Sequence, residues 1–161
     1  MHHAPMIEAF FDEPTGTISY LVADPATREA AVIDPVLDFD AASGKADARS
    51  AIRILDAART KGWRIVMVLE THAHADHLSA APFIKAHTGA WIGIGEHIRT
   101  VQRIFRPVFA MDDLATDGSD FDRLFVDGEQ FALGELTIEV MHVPGHTPAD
   151  VAYRISDAVF A

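Results

Sequence analysis

Thr71-His72-Ala73-His74-Ala75-Asp76-His77 is the most informative segment of this chain. It places three imidazoles and one carboxylate within six residues, directly after the apolar segment 65–69. Imidazole nitrogens and carboxylate oxygens are ligands for zinc, iron and manganese. Because side chains two residues apart share one face of an extended backbone, a His-x-His pair can direct both rings at one ion. The stretch therefore predicts a metal site at the end of a strand, with His72 and His74 as ligands.

A second histidine motif lies later in the chain, after the apolar run 136–141. It reads His142-Val143-Pro144-Gly145-His146-Thr147-Pro148. Pro144 and Gly145 favour a turn, which would present His146 at the edge of a sheet. Metal sites often draw ligands from separate loops carried by a rigid sheet, so His146 is the predicted third ligand. His142, at the end of the strand, is predicted to support the site without binding the metal.

The composition limits the classes of function that need to be considered. At 161 residues, of which 49% are hydrophobic, the chain has the length and composition of one globular domain. A net charge of −11 argues against nucleic acid as a partner, and no stretch approaches the ~20 apolar residues that span a bilayer. Cysteine is absent, which excludes disulfides and thiolate ligands. The N-terminus lacks the features of a secretory signal, so we expect a cytoplasmic protein with a small-molecule substrate.

The distribution of apolar residues predicts a layered α/β fold. Short apolar runs separated by turn residues predict a meander of three strands at the start; these are 7–11, 17–22 and 29–34. A polar loop over 39–47 precedes an amphipathic helix over 48–60. Strands and helices then alternate, which indicates helices that cover a sheet. The predicted strands are 65–69, 91–94, 124–126, 136–143 and 151–155, the predicted helices are 78–87 and 96–105, and 106–122 is a predicted loop.

The two histidine motifs together resemble the metallo-β-lactamase-fold superfamily. Within it, the chain is most similar to persulfide dioxygenases and the β-lactamase-related hydrolases grouped with them, and glyoxalase II is a more distant relative. Segments 31–38, 92–97 and 131–134 add to the resemblance, which spans roughly residues 7–161. It implies an αββα sandwich, of which residues 1–161 would form a single truncated domain: the N-terminal half and part of the second sheet. Proteins of this kind continue past a segment like 157–161 into a Gly-Asp turn, and the Asp of that turn binds the metal.

The resemblance to persulfide dioxygenases implies one iron ion. Its ligands would be His72, His146 and the downstream Asp, and Fe(II) is the preferred metal. Two imidazoles and one carboxylate leave open positions on Fe(II) for substrate and dioxygen. The implied reaction converts a glutathione persulfide or related persulfide to sulfite and a thiol. Asp76 and His77 would then fix the geometry of the ligands, and His74 could serve in either role.

Two other functions stay open at this point. A zinc-dependent thioester or ester hydrolase of the glyoxalase II type would bind two Zn(II) ions, the second through Asp76 and His77, and would lower the pKa of a bound water to ~7. Alternatively, the chain is an inactive or partner-dependent metal-binding fragment. An uncovered apolar sheet face would then favour a homodimer or a complementing second half. Asp34 is predicted either to accept a hydrogen bond from a ligand imidazole or simply to form a turn before Pro35.

Overall fold

The computed structural model of the protein describes residues 4–74 and 77–161. Three helices lie in these residues: α1 (Arg49–Lys61), α2 (Ala81–Thr88) and α3 (Ile98–Val108). The strands of the first half are β1 (Met6–Asp12), β2 (Thr17–Ala23), β3 (Glu29–Ile33), β4 (Val36–Asp40), β5 (Lys45–Asp47), β6 (Arg64–Leu69) and β7 (Leu78–Ser79). Those of the second half are β8 (Trp91–Gly95), β9 (Arg123–Phe125), β10 (Gln130–Leu133), β11 (Leu136–His142), β12 (Val151–Ile155) and β13 (Ala158–Phe160).

The larger sheet has six strands in the order β1-β2-β3-β6-β8-β9. Strands β3, β6, β8 and β9 run parallel to one another, so their carboxyl ends meet at one edge. Open α/β sheets bind ligands at that edge. Asp34 follows β3 there and the Thr71–His77 stretch follows β6. The continuous apolar sequence of β6 is that of a central strand covered on both faces.

The smaller sheet packs face to face on the larger one. It consists of four antiparallel strands in the order β10-β11-β12-β13. Met67 and Leu69 of the large sheet share one buried cluster with Ile138 and Tyr153 of the small sheet. On the other face of the large sheet, Ile54 of α1 and Ile84 of α2 pack against Val68. The described residues therefore form a helix layer and two sheet layers, and the predicted α/β class is confirmed.

Several predicted elements differ in the structure. Residues 39–47, predicted as a loop, are mostly a hairpin of β4 and β5, whose turn is closed by hydrogen bonds to the Asp40 carboxylate. The helix predicted over 78–87 begins only at Ala81, because Leu78 and Ser79 pair with β4. Helix α3 extends through Pro107 to Val108, into the predicted loop. Strands β10 and β13 were not predicted. No helix in the described ranges is long and apolar enough to cross a membrane.

Asp24 joins the turn between β2 and β3 to the turn between β10 and β11. Its buried carboxylate accepts hydrogen bonds from the Thr27 hydroxyl at 2.7 Å and from the Glu135 amide at 2.9 Å. Burial acts to raise the pKa of Asp24. Hydrogen bonds, first of all that from the Glu135 amide, outweigh burial and hold this pKa below its ordinary value of 3.8. The ionised carboxylate thus links the two sheets.

We expect the variant Asp24→Asn to be less stable than the unmodified protein at pH 7, and this difference to shrink in acid. A lowered folded-state pKa means that the carboxylate stabilises the fold above its unfolded-state pKa, and that this contribution is lost as the pH falls through the folded-state pKa. Urea unfolding of both proteins at pH 7 and near pH 3 measures the effect. An equal difference in unfolding free energy at the two pH values would contradict it.

Candidate metal centre

The ends of three strands meet at the site. Both oxygens of the Asp34 carboxylate, just after β3, accept hydrogen bonds from Thr71, one from its amide and one from its hydroxyl, each at 2.8 Å. The Thr71 carbonyl in turn accepts a hydrogen bond from the Val151 amide of β12 at 2.9 Å. Asp34 has a φ of 48°, a left-handed conformation that Asp tolerates better than most residues. These contacts bring the histidine-rich stretch beside the loop that carries His146.

His72 lies between the two other predicted metal ligands. Its ring centroid is 4.1 Å from that of His74 and 5.1 Å from that of His146. Nitrogens of rings this close can reach a common ion with bonds of ~2 Å. The structure thus brings together three imidazoles from two distant segments. Ala75 and Asp76 lie outside the residues that the structure describes, so the role of Asp76 stays a prediction.

A chain of hydrogen bonds fixes the tautomer of His72. Since the Thr71 hydroxyl donates its proton to Asp34, its oxygen accepts from the His72 Nδ1–H, 2.9 Å away. Nε2 of a neutral His72 then carries the lone pair that a metal ion needs. Burial and the nearby positive charge of His74 lower the pKa of His72. His72 is therefore neutral at pH 7 and has the form of a metal ligand.

His74 is paired with two buried carboxylates. Its Nε2 lies 3.1 Å from Asp34 Oδ1 and 3.3 Å from Glu70 Oε2. Burial acts to lower the pKa of His74, but these contacts outweigh it and raise the pKa to about 10. Burial raises the pKa of Glu70 to about 7, whereas hydrogen bonds from His74 and Thr71 overcome burial and lower the pKa of Asp34. Asp34 is therefore the carboxylate that balances the charge of His74.

A different ligand set also shares His74. Ligand atoms of Asp34, Glu70 and His74 all lie within 4.8 Å of one another. Carboxylate oxygens and an imidazole nitrogen are suitable donors for a divalent ion. His74 would have to lose its proton before it bound a metal in either set, because only the neutral imidazole is a ligand.

Asp150 shapes the loop that carries His146. Its carboxylate accepts hydrogen bonds from the amides of His146 and Thr147, at 2.9 and 2.7 Å, and from the Thr147 hydroxyl. Burial acts to raise the pKa of Asp150, but the Thr147 hydrogen bonds outweigh it and lower this pKa.

Neither Asp150 nor Glu70 was predicted from the sequence. The Thr147-x-x-Asp150 spacing, which is typical of a capping motif, was a signal that could have indicated Asp150.

Of the other predicted histidines, His77 lies beside these three rings and His142 lies farther away. His77 is buried, its ring centroid is 4.1 Å from that of His74, and its Nδ1 is 3.3 Å from the Thr17 hydroxyl. His142 lies behind the His146 loop, where its Nε2 is 3.0 Å from the Pro148 carbonyl oxygen. The His142 ring also stacks on His97 at 4.4 Å. His142 thus contacts the loop and not the group of three rings.

Comparison with known proteins identifies the family. The sequence profile described as the metallo-beta-lactamase superfamily matches residues 13–161. The chain belongs to the metallo-beta-lactamase superfamily. This match confirms the resemblance that was predicted from the two histidine motifs. Members of this superfamily depend on metal ions.

Individual members of the superfamily share most of this chain. A probable metallo-hydrolase of Burkholderia pseudomallei is 48% identical over 94% of the chain and 52% of its own length. Glyoxylase B2 of Dictyostelium discoideum is 36% identical over 99% of the chain and 56% of its own length. The crystal structure of ETHE1 from Myxococcus xanthus superposes with a TM-score of 0.75 at 26% identity, over 96% of the chain and 56% of that protein. The chain thus spans about half the length of these relatives.

Two clefts of this superfamily fold open onto the histidines. A cleft of about 870 Å³ lies beside His74 and His77, under the β4–β5 hairpin, and is lined by charged residues that include Asp38 and Lys45. A groove of about 420 Å³ opens onto His72 and His146 and is lined by Thr17 and Tyr20. The groove is lined by all three rings, whereas the cleft is lined by His74 but not by His72 or His146.

We expect the variant His142→Phe to bind metal roughly 10-fold more weakly, the lower end of the effect seen for residues that orient ligands. Phenylalanine keeps the stacking on His97 but cannot donate to Pro148, so the His146 loop loses one restraint. Competition with a chelator measures the affinity. His87→Phe is a matched control, because His87 also bonds a carbonyl and contacts a ring, both of Phe83, on α2. Equal affinities for the two variants would contradict the proposed role.

We expect the variant Tyr153→Phe to unfold about 1–2 kcal/mol more easily. The buried Tyr153 hydroxyl donates to the Glu70 carbonyl at 2.8 Å, and its removal leaves that buried carbonyl without this donor. Urea denaturation measures the change. Tyr20→Phe serves as a control, because the Tyr20 ring also packs at an edge, against Phe160, while its hydroxyl forms none of the hydrogen bonds found between described residues. A loss for Tyr153→Phe no larger than for Tyr20→Phe would count against this prediction.

Proposed function

We propose that this protein is a metal-dependent enzyme that oxidises a persulfide, such as glutathione persulfide, at one non-haem iron bound by His72 and His146. One observation carries the proposal: Nδ1 of His72 lies 2.9 Å from the Thr71 hydroxyl, which leaves Nε2 for a metal ion, whereas Nε2 of His74 lies 3.1 Å from Asp34 and 3.3 Å from Glu70. This arrangement favours a single ion bound by two imidazoles over a pair of ions bound by every residue of the motif.

The donor atoms fit this metal. Two imidazoles and one carboxylate form the ligand set of non-haem iron oxygenases. In this proposal the carboxylate comes from outside the 161 residues, in the half of the fold that the relatives contain in addition. Bound Fe(II) would supply the open coordination positions that dioxygen chemistry requires. The balanced reaction takes a persulfide, dioxygen and water to a thiol, sulfite and two protons, and the outer sulfur loses the four electrons that dioxygen gains.

The residues of this chain would orient the ligands and keep them in the correct protonation state. The path from His72 through Thr71 to Asp34 holds the proton of His72 on Nδ1. Asp150 fixes the backbone at His146. The groove lined by Thr17 and Tyr20 would admit the persulfide to the side of the site where His72 and His146 lie.

A zinc-dependent thioester hydrolase is the second candidate function. The names of two relatives, a probable metallo-hydrolase and a glyoxylase, favour it. It would require His74 to leave Asp34 and Glu70 and join the metal, with Asp76 and His77 at a second ion. The same scaffold would then bind two ions and activate a water.

A partner-dependent fragment is the third candidate, and the uncovered part of the large sheet favours it. Ile7, Phe11 and Ile18 of the β1–β2 hairpin are exposed, while Tyr20 of β2 touches Phe160 of β13. Strand β13 ends the small sheet, so a further strand paired to β13 would cover these residues. We propose that a complementing second half, or a second copy of the chain, occupies this position.

Reconstitution with metal separates the three candidates. The protein is loaded with Fe(II) or Zn(II), and bound metal, dioxygen uptake with glutathione persulfide, and thioester cleavage are measured. One iron per chain and one dioxygen consumed per sulfite formed support the dioxygenase. Two zinc ions and thioester cleavage support the hydrolase instead. Metal binding without either activity, with or without the second half of the fold, supports an inactive fragment. Activity that appears only after the second half is added supports a partner-dependent fragment, and the reaction observed then separates the dioxygenase from the hydrolase.

A further inference from the structure

A third cavity reaches the histidines next to the cleft under the β4–β5 hairpin and shares His74, His77 and Leu78 with it. Its volume is about 310 Å³, and it extends from residues 72–74 and 77–79 to the start of α2 and strand β8. The inner end is formed by His72, His74 and His77. At the outer end stand Leu78, which is 48% exposed, and Asp120.

The wall of this cavity between α2 and β8 is apolar, and Glu70 and Ser79 also line the cavity. Ala81 and Pro82 of α2, Ile92 and Ile94 of β8, and Phe121 form most of it. Ala81, Ile92 and Ile94 are buried residues of the core, so their positions are fixed by packing on both sides. Packing therefore holds this part of the wall in place.

This lining suits an uncharged, apolar ligand. The cleft under the β4–β5 hairpin carries carboxylates and amines, such as Asp38 and Lys45, and the groove at Thr17 is bordered by hydroxyl groups. A peptide-like persulfide carries charges, and moving a charged group onto an apolar wall without partners is costly. Dioxygen has no charge and no hydrogen-bonding groups, so it gains from the same transfer.

We propose that the cavity lined by Ala81, Ile92, Ile94 and Phe121 is the passage through which dioxygen reaches the metal centre. The persulfide enters by the groove lined by Thr17 and Tyr20, and the gas crosses the apolar wall between α2 and β8. The two reactants then approach the metal over different surfaces. This inference rests on the proposed function, because only an oxygen-consuming enzyme needs such a passage.

Xenon binding tests the cavity without requiring activity. Apolar cavities bind xenon, so crystals of the protein pressurised with xenon should show a xenon site between Ala81, Ile94 and Phe121. The variant Ala81→Leu, which fills the cavity, should lose that site. A pressurised crystal with no xenon in the cavity of the unmodified protein would overturn the proposal.

Kinetics of the iron-loaded protein test the role in catalysis. Ala81→Leu should raise the KM for dioxygen at least about 5-fold and leave the KM for the persulfide unchanged, whereas Phe121→Ala, which widens the cavity, should not raise the KM for dioxygen. Ala90→Leu is the matched control, because Ala90 is a buried alanine of the same core cluster as Ala81 but does not line the cavity. Ala90→Leu reports the cost of overpacking alone.

The outcomes distinguish this inference from the proposed function. An unmodified protein that consumes dioxygen, combined with an Ala81→Leu variant whose KM for dioxygen equals that of Ala90→Leu, overturns the passage and leaves the dioxygenase intact. A rise in the KM for the persulfide in place of that for dioxygen also overturns it, since the cavity would then bind the organic substrate. An iron-loaded protein that consumes no dioxygen overturns both.

Discussion

Replacing His146 by alanine is expected to weaken metal binding by more than about 100-fold, beyond the range of effects seen for residues that only orient ligands. His146 is exposed and lies on a loop held by Asp150, so its removal takes one imidazole from the site and leaves the core intact. The affinity is measured by competition with a chelator, and dioxygen uptake should fall with metal content.

Two controls make this prediction specific. His87→Ala removes a histidine from the end of α2, outside the group of three rings, and should leave the affinity for metal unchanged. Circular dichroism of His146→Ala should match that of the unmodified protein, which excludes unfolding as the cause. If His146→Ala binds metal as tightly as His87→Ala does, His146 is not a ligand.

Replacing Gly134 by alanine is expected to destabilise the protein by about 3–4 kcal/mol. Gly134 has a φ of 59°, and a Cβ there would lie 2.1 Å from Thr27 Oγ1 and 2.2 Å from Asp24 Oδ2. The clash would displace the buried carboxylate of Asp24 and break its hydrogen bonds between the two sheets. For a protein of this size, such a loss lowers the melting temperature by roughly 10 °C.

Gly128→Ala separates the clash from the backbone strain. Gly128 has a φ of 76°, similarly left-handed, but a Cβ there meets no atom within 4 Å. It should cost only the ~1 kcal/mol that alanine loses in this conformation. Thermal unfolding of both variants provides the comparison. Equal melting temperatures would mean that Asp24 does not link the sheets as described.

The predicted elements that agree with the structure are those in which the burial of one face gives the apolar residues a regular spacing in the sequence. Helix α1 has one apolar face, because only one side of it packs on the large sheet. Strand β12, predicted over 151–155, has the same bounds in the structure. The β4–β5 hairpin has no such signal, since Phe39 is exposed and the strands are held by pairing and by Asp40.

The candidate site was predictable only in part. The two motifs predicted that His72, His74 and His146 lie close together, because each motif follows a strand and ligands often lie at the ends of strands. Of the two partners of His74, Asp34 was predicted as a possible acceptor for a ligand imidazole, alongside the alternative of a turn residue, and Glu70 was not predicted. The pairing of His74 with both Asp34 and Glu70 depends on how β3 and β6 lie side by side in the sheet. Asp150 was missed for a related reason, since its role lies in backbone hydrogen bonds within a loop.

Anomalous diffraction at the iron edge, from crystals of the Fe(II)-loaded protein, tests the central claim most directly. We predict a single peak within about 2.0–2.2 Å of both His72 Nε2 and a ring nitrogen of His146, the usual range for metal–imidazole bonds. A peak among Asp34, Glu70 and His74 that touches neither His72 nor His146 would contradict the proposed metal centre.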